Sequence, residues 1–329
     1  MLPEKLVHAG RALARTAGAA MIAAVVGHLA AGPARAEDRI RAGTPEPSAF
    51  VFCGLDVGSE TGIFAKYGLA VERIDFAGGA KLHQAMAAGA LDVIIGTGSD
   101  LLFLMRGAPE RAVAAYGNDL NSLSLVARAD DTVPTLAALT GKTVGTTTPG
   151  SFTAWIAKTI AKNQGWGPDG IKLAYLGQMS GIIAGLMAKN VDAIMATSGQ
   201  ALRLEGEGRA RILVRAGDEI HDFIADMVYA SEPMMKEHPD TLKRFLAAWF
   251  ETMRFEKTEK AETIRITQKA TKLPDVIAAK VYDAETPLFF TDGHFDRKSL
   301  AAVQQALIDA GVIDHKVPDA QLIDEKFLP

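Results

Sequence analysis

Short apolar runs alternate with amphipathic stretches along most of the chain. Residues 93–96 are apolar throughout, as in a strand buried on both faces of a parallel sheet. Residues 56–67 have helical spacing, and Gly68 is expected to end that helix. A second helix is expected at 82–88, and further strands at 40–44 and 70–76. This alternation of strands and helices predicts an α/β fold.

The second part of the chain shows the same order of elements. Strands are expected at 142–146, 171–176 and 191–196, with helices between them. A strand at 122–128 should leave the first unit, with 129–134 as the crossover to the second. A return strand at 227–230 places the second crossing near 216–224. Two crossings between two units predict a hinge.

The two parts also match in sequence, which indicates an internal repeat. AGTPEPSAF at 42–50 matches VGTTTPGSF at 144–152, a spacing of 102 residues. The segment that begins at Val71 matches the segment that begins at Ile171, at a spacing of 100 residues. The identities fall at like places in like strand, loop and helix patterns, so we expect two copies of one α/β unit with a cleft between them.

The segment KTVGTTTPGSFTAW at 142–155 is the clearest candidate for ligand binding. It predicts a strand, then a polar loop, then a helix with Thr148 at the N-cap and Pro149 at the first helical position. Free N–H groups at such a helix start, with the positive end of the helix dipole, suit an anion. The alternative is that Thr148 only caps the helix. Ser99 and Thr197 lie in two comparable strand-to-helix loops.

The C-terminal part is predominantly helical. One apolar stripe at helical spacing predicts a buried helix face. Asp296 is expected to cap a last long helix that ends at Gly311. The stripe consists of Leu242, Phe245, Leu246, Trp249, Phe250 and Met253.

Composition describes a globular protein without a strong electrostatic preference. The chain has 329 residues, 48% of them hydrophobic and 22% charged, and a formal net charge of −4. Its basic residues are scattered, which argues against nucleic acid as a partner. The seven histidines show no metal-ligand spacing, Cys53 is the only cysteine, and no nucleotide-loop or nucleophile-elbow motif is complete. We therefore expect no metal, no cofactor and no catalytic residue.

Residues 1–36 have the pattern of a secretory signal peptide. Lys5, Arg11 and Arg15 precede an apolar run at 17–31, and Ala34-Arg35-Ala36 forms a cleavage site of the small-x-small type. The apolar run has about 15 residues, fewer than the roughly 20 that span a bilayer, which disfavours the alternative of an uncleaved anchor. A soluble periplasmic protein is expected.

Several segments together resemble the periplasmic substrate-binding proteins of the nitrate/sulfonate/taurine (NitT/TauT) class of ABC importers. The resemblance covers 39–329, nearly all of the chain after the leader. The matching segments are GIF at 62–64 with YGL at 67–69, FAGGAKLHQAMAAGALDVIIGTGSDL at 76–101, TTPGSFTAW at 147–155, and RFL at 244–246 with Trp249.

The resemblance implies a type II periplasmic binding protein clamp, an α/β fold of two lobes with a ligand cleft and two crossing strands. Lobe 1 is expected at 37–127 and 222–329, and lobe 2 at 128–221. The implied partners are a small organic anion, such as a sulfonate or carboxylate, and a permease in the inner membrane; a monomer is expected. The implied ligand loops contain Ser48, Phe50, Gly78, Gly79, Thr97, Gly98, Ser99, Thr148, Gly150, Ser151, Gln178 and Thr197.

Two other functions share this fold. A sensory module would capture a solute for a receptor instead of a permease, and the sequence does not separate the two. Relatives that make a thiamine pyrimidine are enzymes, but their marker is a cysteine-rich cluster, and one cysteine cannot supply it. Phe50 and Phe152 are either apolar walls of the cleft or core residues.

The leader makes a direct prediction about the secreted product. Cleavage after Ala36 gives a mature protein that begins at Glu37. Intact-mass measurement of exported material checks this. Membrane-bound protein with residues 1–36 still attached would contradict it.

Overall fold

The computed structural model describes residues 37–118, 120–130, 132–167, 169–309 and 313–329. The predicted signal peptide and the predicted helix end at Gly311 lie outside these residues. Within them the chain forms ten strands: β1 (Asp38–Thr44), β2 (Leu69–Asp75), β3 (Val93–Thr97), β4 (Glu110–Gly117), β5 (Leu123–Arg128), β6 (Thr143–Thr146), β7 (Lys172–Tyr175), β8 (Ala193–Thr197), β9 (Ala210–Arg215) and β10 (Asp226–Ser231).

The strands form two five-stranded sheets with the same internal plan. The first has the order β2-β1-β3-β10-β4 and the second the order β7-β6-β8-β5-β9. In each sheet the first three strands run parallel. The fourth strand runs antiparallel to both of its neighbours. The expected α/β fold with two similar units is confirmed.

In sequence order, the antiparallel strand of each sheet comes directly after an edge strand of the other sheet. β5 follows β4 but pairs with β8 and β9, and β10 follows β9 but pairs with β3 and β4. The chain therefore passes from the first sheet to the second between β4 and β5, and returns between β9 and β10. The expected crossover at 129–134 is wrong, because β5 already belongs to the second sheet. The lobe limits at 127/128 and 221/222 stay a proposal, and the sheet membership of β5 favours a first limit near residue 120.

The sequence repeat is visible in the strand registers. Ala42 and Gly43 pair with Val93 and Ile94, and the same pairings recur for 144–145 with 193–194. The aspartates before β3 and β8 repeat as well. Asp92 accepts a hydrogen bond from the Arg41 backbone N–H (2.8 Å), and Asp192 accepts one from that of Thr143 (2.9 Å).

Helices fill the connections and the C-terminal part of the chain. Several are short, and single 3₁₀ turns join some of them to strands. The α-helices of the described residues are α1 (Gly54–Glu60), α2 (Ile63–Lys66), α3 (Gly79–Ala87), α4 (Leu101–Met105), α5 (Phe152–Asn163), α6 (Met179–Met187), α7 (Ser198–Gly206), α8 (Ala216–Glu219), α9 (Glu232–Glu237), α10 (Pro239–Thr258), α11 (Lys260–Thr271), α12 (Asp275–Glu285), α13 (Arg297–Asp309) and α14 (Asp319–Leu322).

Three features of these elements differ from the sequence-based expectation or extend it. The helix expected at 56–67 is two helices, because Gly62 has a positive φ of 74° and interrupts it between α1 and α2. Strands β4 and β9, which form one edge of each sheet next to the antiparallel strand, were not predicted. Asp296 caps α13 as expected, since its carboxylate accepts from the N–H groups of Lys298 and Ser299.

The apolar stripe of α10 is core, as predicted. All six of its side chains are fully buried. The Trp249 indole packs edge-on against the Tyr116 ring of β4 at 5.2 Å between centroids. Near the second crossing, Phe223 stacks on Trp155 of α5 at 4.5 Å. Among the described helices, none is both long and apolar enough to cross a membrane.

The repeated aspartates allow a paired test of stability. Asp92→Ala and Asp192→Ala should each lower the free energy of unfolding, by roughly 1 to 3 kcal/mol, because each removes a charged acceptor from a strand N–H. The loss at Asp92 should be larger, since its carboxylate also binds the Arg41 guanidinium. Urea denaturation of both variants checks this, and unchanged stability in either would contradict an equivalent role.

Candidate functional site

A cavity lies between the two sheets, where the carboxyl ends of their parallel strands face each other. In α/β sheets this end of the strands is where ligands bind. Its volume is about 50 Å³, enough for a few water molecules. The first sheet, with the loops and helices attached to it, contributes Pro45, Glu46, Ala49, Val51, Phe52, Gly78, Gly79, Thr97, Asp100 and Asp226. The second sheet, with its own loops and helices, contributes Ser122, Leu123, Thr147, Ser151, Phe152, Thr153, Met179 and Thr197.

Five of the twelve candidate ligand residues line this cavity. They are Gly78, Gly79, Thr97, Ser151 and Thr197. They come from four different strand-to-helix loops, two in each copy of the repeat. Their role in binding stays a prediction, but the fold brings them together around one space.

The remaining candidates lie around the cavity. Ser48 and Gln178 line a neighbouring open groove, and Ser99 and Gly150 line a small space on another side. The Gly98 N–H donates to Ala225 O (2.8 Å), and a Cβ at Gly98 would overlap the carbonyl of Ile224. That glycine therefore has a packing role under the second crossing.

The two phenylalanines that the repeat aligns differ in position. Phe50 belongs to the core, where its ring stacks on Phe289 at 5.9 Å and meets Tyr282 edge-on. Phe152 lines the cavity and stacks on Trp155. Of this aligned pair, only Phe152 forms an apolar wall of the cavity.

The start of α5 differs from the prediction in the position of its N-cap, whereas anion binding there stays a prediction. The N-cap is Ser151, whose hydroxyl accepts from the Ala154 N–H (3.3 Å), and Thr148 lies before the helix in a turn. Gly150 has a positive φ of 71°, so the turn itself favours a glycine at this position. The Ser151 hydroxyl is also within 3.0 Å of the Thr153 hydroxyl. Much of the hydrogen-bonding capacity of the Ser151 hydroxyl is thus used within the loop and the first turn of the helix. The Thr148 side chain lies against Gly78 of the first sheet instead.

Sequence analysis missed the most polar part of the lining, which is three carboxylates. Glu46, Asp100 and Asp226 are 9%, 2% and 3% exposed. Asp100 directly follows the predicted 97–99 loop, and Glu46 lies within the repeated 42–50 segment, so both were within reach of sequence reasoning. For Asp226, at the start of β10, the sequence offers no signal, because only the strand exchange brings it to the cavity.

Glu46 joins the two sheets through its carboxylate. One oxygen accepts from the Ser48 N–H (3.1 Å) and hydroxyl (2.8 Å), and the other accepts from the Met179 N–H (3.3 Å) at the start of α6. Burial raises the pKa of this carboxyl, the bonds from Ser48 and Met179 oppose the rise, and the charge of Asp75 adds to it. Ser48 thus positions the Glu46 carboxylate, which lines the cavity, although Ser48 itself does not line it.

Asp100 belongs to a buried charged cluster behind the cavity. Its carboxylate accepts from the Thr97 N–H (2.8 Å) and lies 3.6 Å from His83 Nε2, while His83 Nδ1 is 2.7 Å from Glu110. Burial disfavours the imidazolium, but Asp100 and Glu110 more than offset this and raise the pKa of His83 to about 9. One positive charge therefore stands between two carboxylates.

Thr97 and Thr197 hold equivalent places in the repeat but differ in their bonds. The Thr97 hydroxyl bonds with Asp100 Oδ2 (3.1 Å). At the position equivalent to Asp100 the second copy has Gln200. The Thr197 hydroxyl and the Gln200 carbonyl oxygen are buried without a hydrogen-bond partner in the described structure. The second copy thus presents an unsatisfied hydroxyl to the cavity.

Two kinds of reactive group are relevant among the described residues, a thiol and a metal-binding cluster. The Cys53 thiol is fully buried and burial raises its pKa, which disfavours the nucleophilic thiolate. Among the described residues, no cluster of three or more His, Cys, Asp or Glu side chains can hold a metal ion. The polar groups of the cavity are suited to holding a solute by hydrogen bonds and charge.

Two sheets that exchange a strand, with a cavity at the carboxyl ends between them, define the two-lobed α/β fold of the periplasmic binding proteins. The chain belongs to the NMT1/THI5-like family, whose model matches residues 49–255. The resemblance to the nitrate/sulfonate/taurine class of binding proteins is thereby confirmed. No functionally curated protein matches the chain significantly.

Solved structures of three similar proteins show the same fold. The aliphatic sulphonate-binding protein SsuA of Escherichia coli has a TM-score of 0.70 at 18% identity, covering 86% of this chain and 91% of that one. The alkanesulfonate-binding protein SsuA of Xanthomonas axonopodis pv. citri, bound to MOPS, has a TM-score of 0.75 at 15% identity, covering 87% and 97%. The desulfurization enzyme DSZB has a TM-score of 0.62 at 15% identity, covering 88% and 97%.

The buried histidine predicts a pH dependence of stability. The folded pKa of His83, about 9, is above its unfolded value of 6.5, so its stabilising contribution is complete below pH 6.5 and is lost as the pH rises through 9. Such a shift corresponds to a stabilisation on the order of 3 kcal/mol. The stability difference between the wild type and His83→Gln should therefore shrink between pH 6 and pH 10 in urea titrations. A difference that stays constant would mean that the buried imidazole is not charged.

Proposed function

We propose that this protein is the solute-binding component of an ABC importer. It captures a small solute between its two lobes in the periplasm and delivers it to a permease in the inner membrane. The observation that supports this most is the cavity between the sheets, which loops from both copies of the repeat surround. A cavity of this kind encloses a solute from two sides, as in hinge-closing binding proteins.

The described conformation corresponds to a closed clamp in this proposal. Pockets for small organic molecules have volumes of roughly 300 to 1,000 Å³, whereas the cavity has about 50 Å³. The lobes must therefore separate to admit a solute of that size. Contacts that would break on opening are the Glu46–Met179 hydrogen bond and the bond between Ser198 and Glu285.

Sensing instead of transport is the closest alternative. A sensory module would close around its solute in the same way and present the closed form to a receptor. Genes for a permease and an ATPase next to this one would favour transport. Periplasmic location follows from the predicted leader and is part of the same proposal.

An enzyme is the less favoured alternative. DSZB shows that this fold also supports catalysis, and a thiamine-pyrimidine enzyme was considered from the sequence. Against a thiol-dependent reaction, Cys53 is fully buried and does not line the cavity. The nature of the solute remains part of the proposal: the sequence favours an organic anion, whereas the buried carboxylates favour the opposite charge.

Hinge closure is the prediction that tests the proposed function. A solute found by thermal-shift screening should reduce the radius of gyration in small-angle scattering, because it stabilises the closed lobes. At 100 times its dissociation constant the same solute adds roughly 2.7 kcal/mol of stability, which makes the screen sensitive.

Ser198→Ala provides a control for this experiment. The variant removes a contact between the lobes outside the cavity lining, so the solute-free protein should be at least as expanded as the wild type. Both proteins should contract with saturating solute. An unchanged radius of gyration in the wild type would count against a clamp.

A further inference from the structure

The cavity between the sheets concentrates negative charge without a basic side chain on its walls. Besides Glu46, Asp100 and Asp226, a fourth buried carboxylate, Glu285, lines a small space that shares Asp226 with the cavity. No Lys, Arg or His is among the described residues that line either space. A cavity whose ionisable wall groups are all carboxylates attracts a cation and repels an anion.

The base behind the cavity does not neutralise this charge. His83 lies between Asp100 and Glu110, so its single positive charge faces two carboxylates. The same carboxylates act on two buried tyrosines, Tyr116 and Tyr229. Burial is the main reason that their pKa values are raised, and the charges of Asp226 and Asp100 raise them further.

A second observation points to a ligand in the same space. The Thr197 hydroxyl is buried, lines the cavity and has no hydrogen-bond partner. Its counterpart in the repeat, Thr97, bonds to Asp100. A buried hydroxyl without a partner is costly, and a polar group of a bound solute would satisfy it.

The apolar part of the lining fits an organic ion. Phe52 and Phe152 both line the cavity, one from each sheet. Aromatic rings add apolar surface to the walls and attract organic cations that lie over their faces. Together with the absence of a metal-binding cluster among the described residues, this favours an organic solute over a metal ion.

We propose that the solute carries a positively charged nitrogen group, such as an ammonium, amidinium or guanidinium, held by Asp226 and Glu46 between the rings of Phe52 and Phe152. The Thr197 hydroxyl binds a second polar group of the solute. This inference rests on the proposed solute-binding function and names the chemical class that the same cavity selects.

Matched probes of equal size and different charge test the class. Benzylammonium, benzamidine and phenylguanidine are compared with benzoate, benzenesulfonate and neutral benzyl alcohol, and butylammonium with butanesulfonate, by thermal shift and calorimetry. At least one cation is expected to bind more tightly than every matched anion. Tighter binding of a sulfonate or carboxylate would overturn the inference but leave the solute-binding function in place. Absence of binding by every probe would count against both.

Substitutions in the cavity identify the groups that select the charge. Asp226→Asn should weaken binding of the best cation by about 10-fold to 100-fold, and Glu46→Gln should weaken it in the same direction. Thr197→Val should weaken binding by about 2-fold to 10-fold. The double variant Asp226→Asn, Glu46→Gln should also bind the matched anion better than the wild type does.

Glu256→Gln is the matched control, because Glu256 is a fully buried carboxyl in α10 that does not line the cavity. Its affinity for the cation should equal that of the wild type. Circular dichroism confirms that each variant is folded, and if Asp226→Asn fails to fold, Glu46→Gln carries the test. Unchanged cation binding in the folded cavity variants would overturn the proposal.

Discussion

The exchange of one strand between the two sheets is the constraint on which the rest of the structure depends. β5 follows β4 of the first sheet but lies antiparallel in the second sheet, and β10 follows β9 of the second sheet but lies antiparallel in the first. The chain therefore passes between the sheets twice. The carboxyl ends of the parallel strands consequently face one another. The exchange also brings into the cavity lining Ser122, the residue before β5, and Asp226, the first residue of β10. A site built from both repeats follows from this topology.

The repeat supplies the same backbone twice and allows its side chains to diverge. Registers, the strand-anchoring aspartates and the starts of α3 and α6 are shared between the copies. At the end of the third strand the copies differ, since Thr97 is followed by Asp100 and Thr197 by Gln200. The first copy satisfies its own threonine, whereas the second leaves its hydroxyl to the cavity. Divergence at such a position changes the polar groups that face the cavity without changing the fold.

Local sequence patterns predicted the fold well because apolar periodicity and the 100-residue repeat both depend on residues close in sequence or on a simple offset. The strand exchange was only partly predicted. β5 was identified, but its assignment to a sheet depends on pairing with β8 and β9, distant in the chain, and no local pattern carries that information. For the same reason the loops of the cavity were found, whereas Asp226 was not. The N-cap of α5 was misplaced by three residues because Thr148 and Ser151 both have the chemistry of a cap and only the turn at Gly150 decides between them.

The charge of the site shows why a helix start alone is a poor guide to ligand chemistry. A helix N-terminus carries the equivalent of about half a positive charge and stabilises an exposed anion by roughly 0.3 to 1 kcal/mol. A carboxylate carries a full negative charge, and at an effective dielectric constant of about 20 it repels an anion roughly 4 Å away by about 4 kcal/mol. With Glu46, Asp100 and Asp226 on the walls, side-chain charge therefore outweighs the dipoles of α5 and α6. In the proposed site, selectivity for charge therefore depends on the few ionisable side chains that the strand exchange and the loops bring to the cavity, and less on the helix starts that the two copies share.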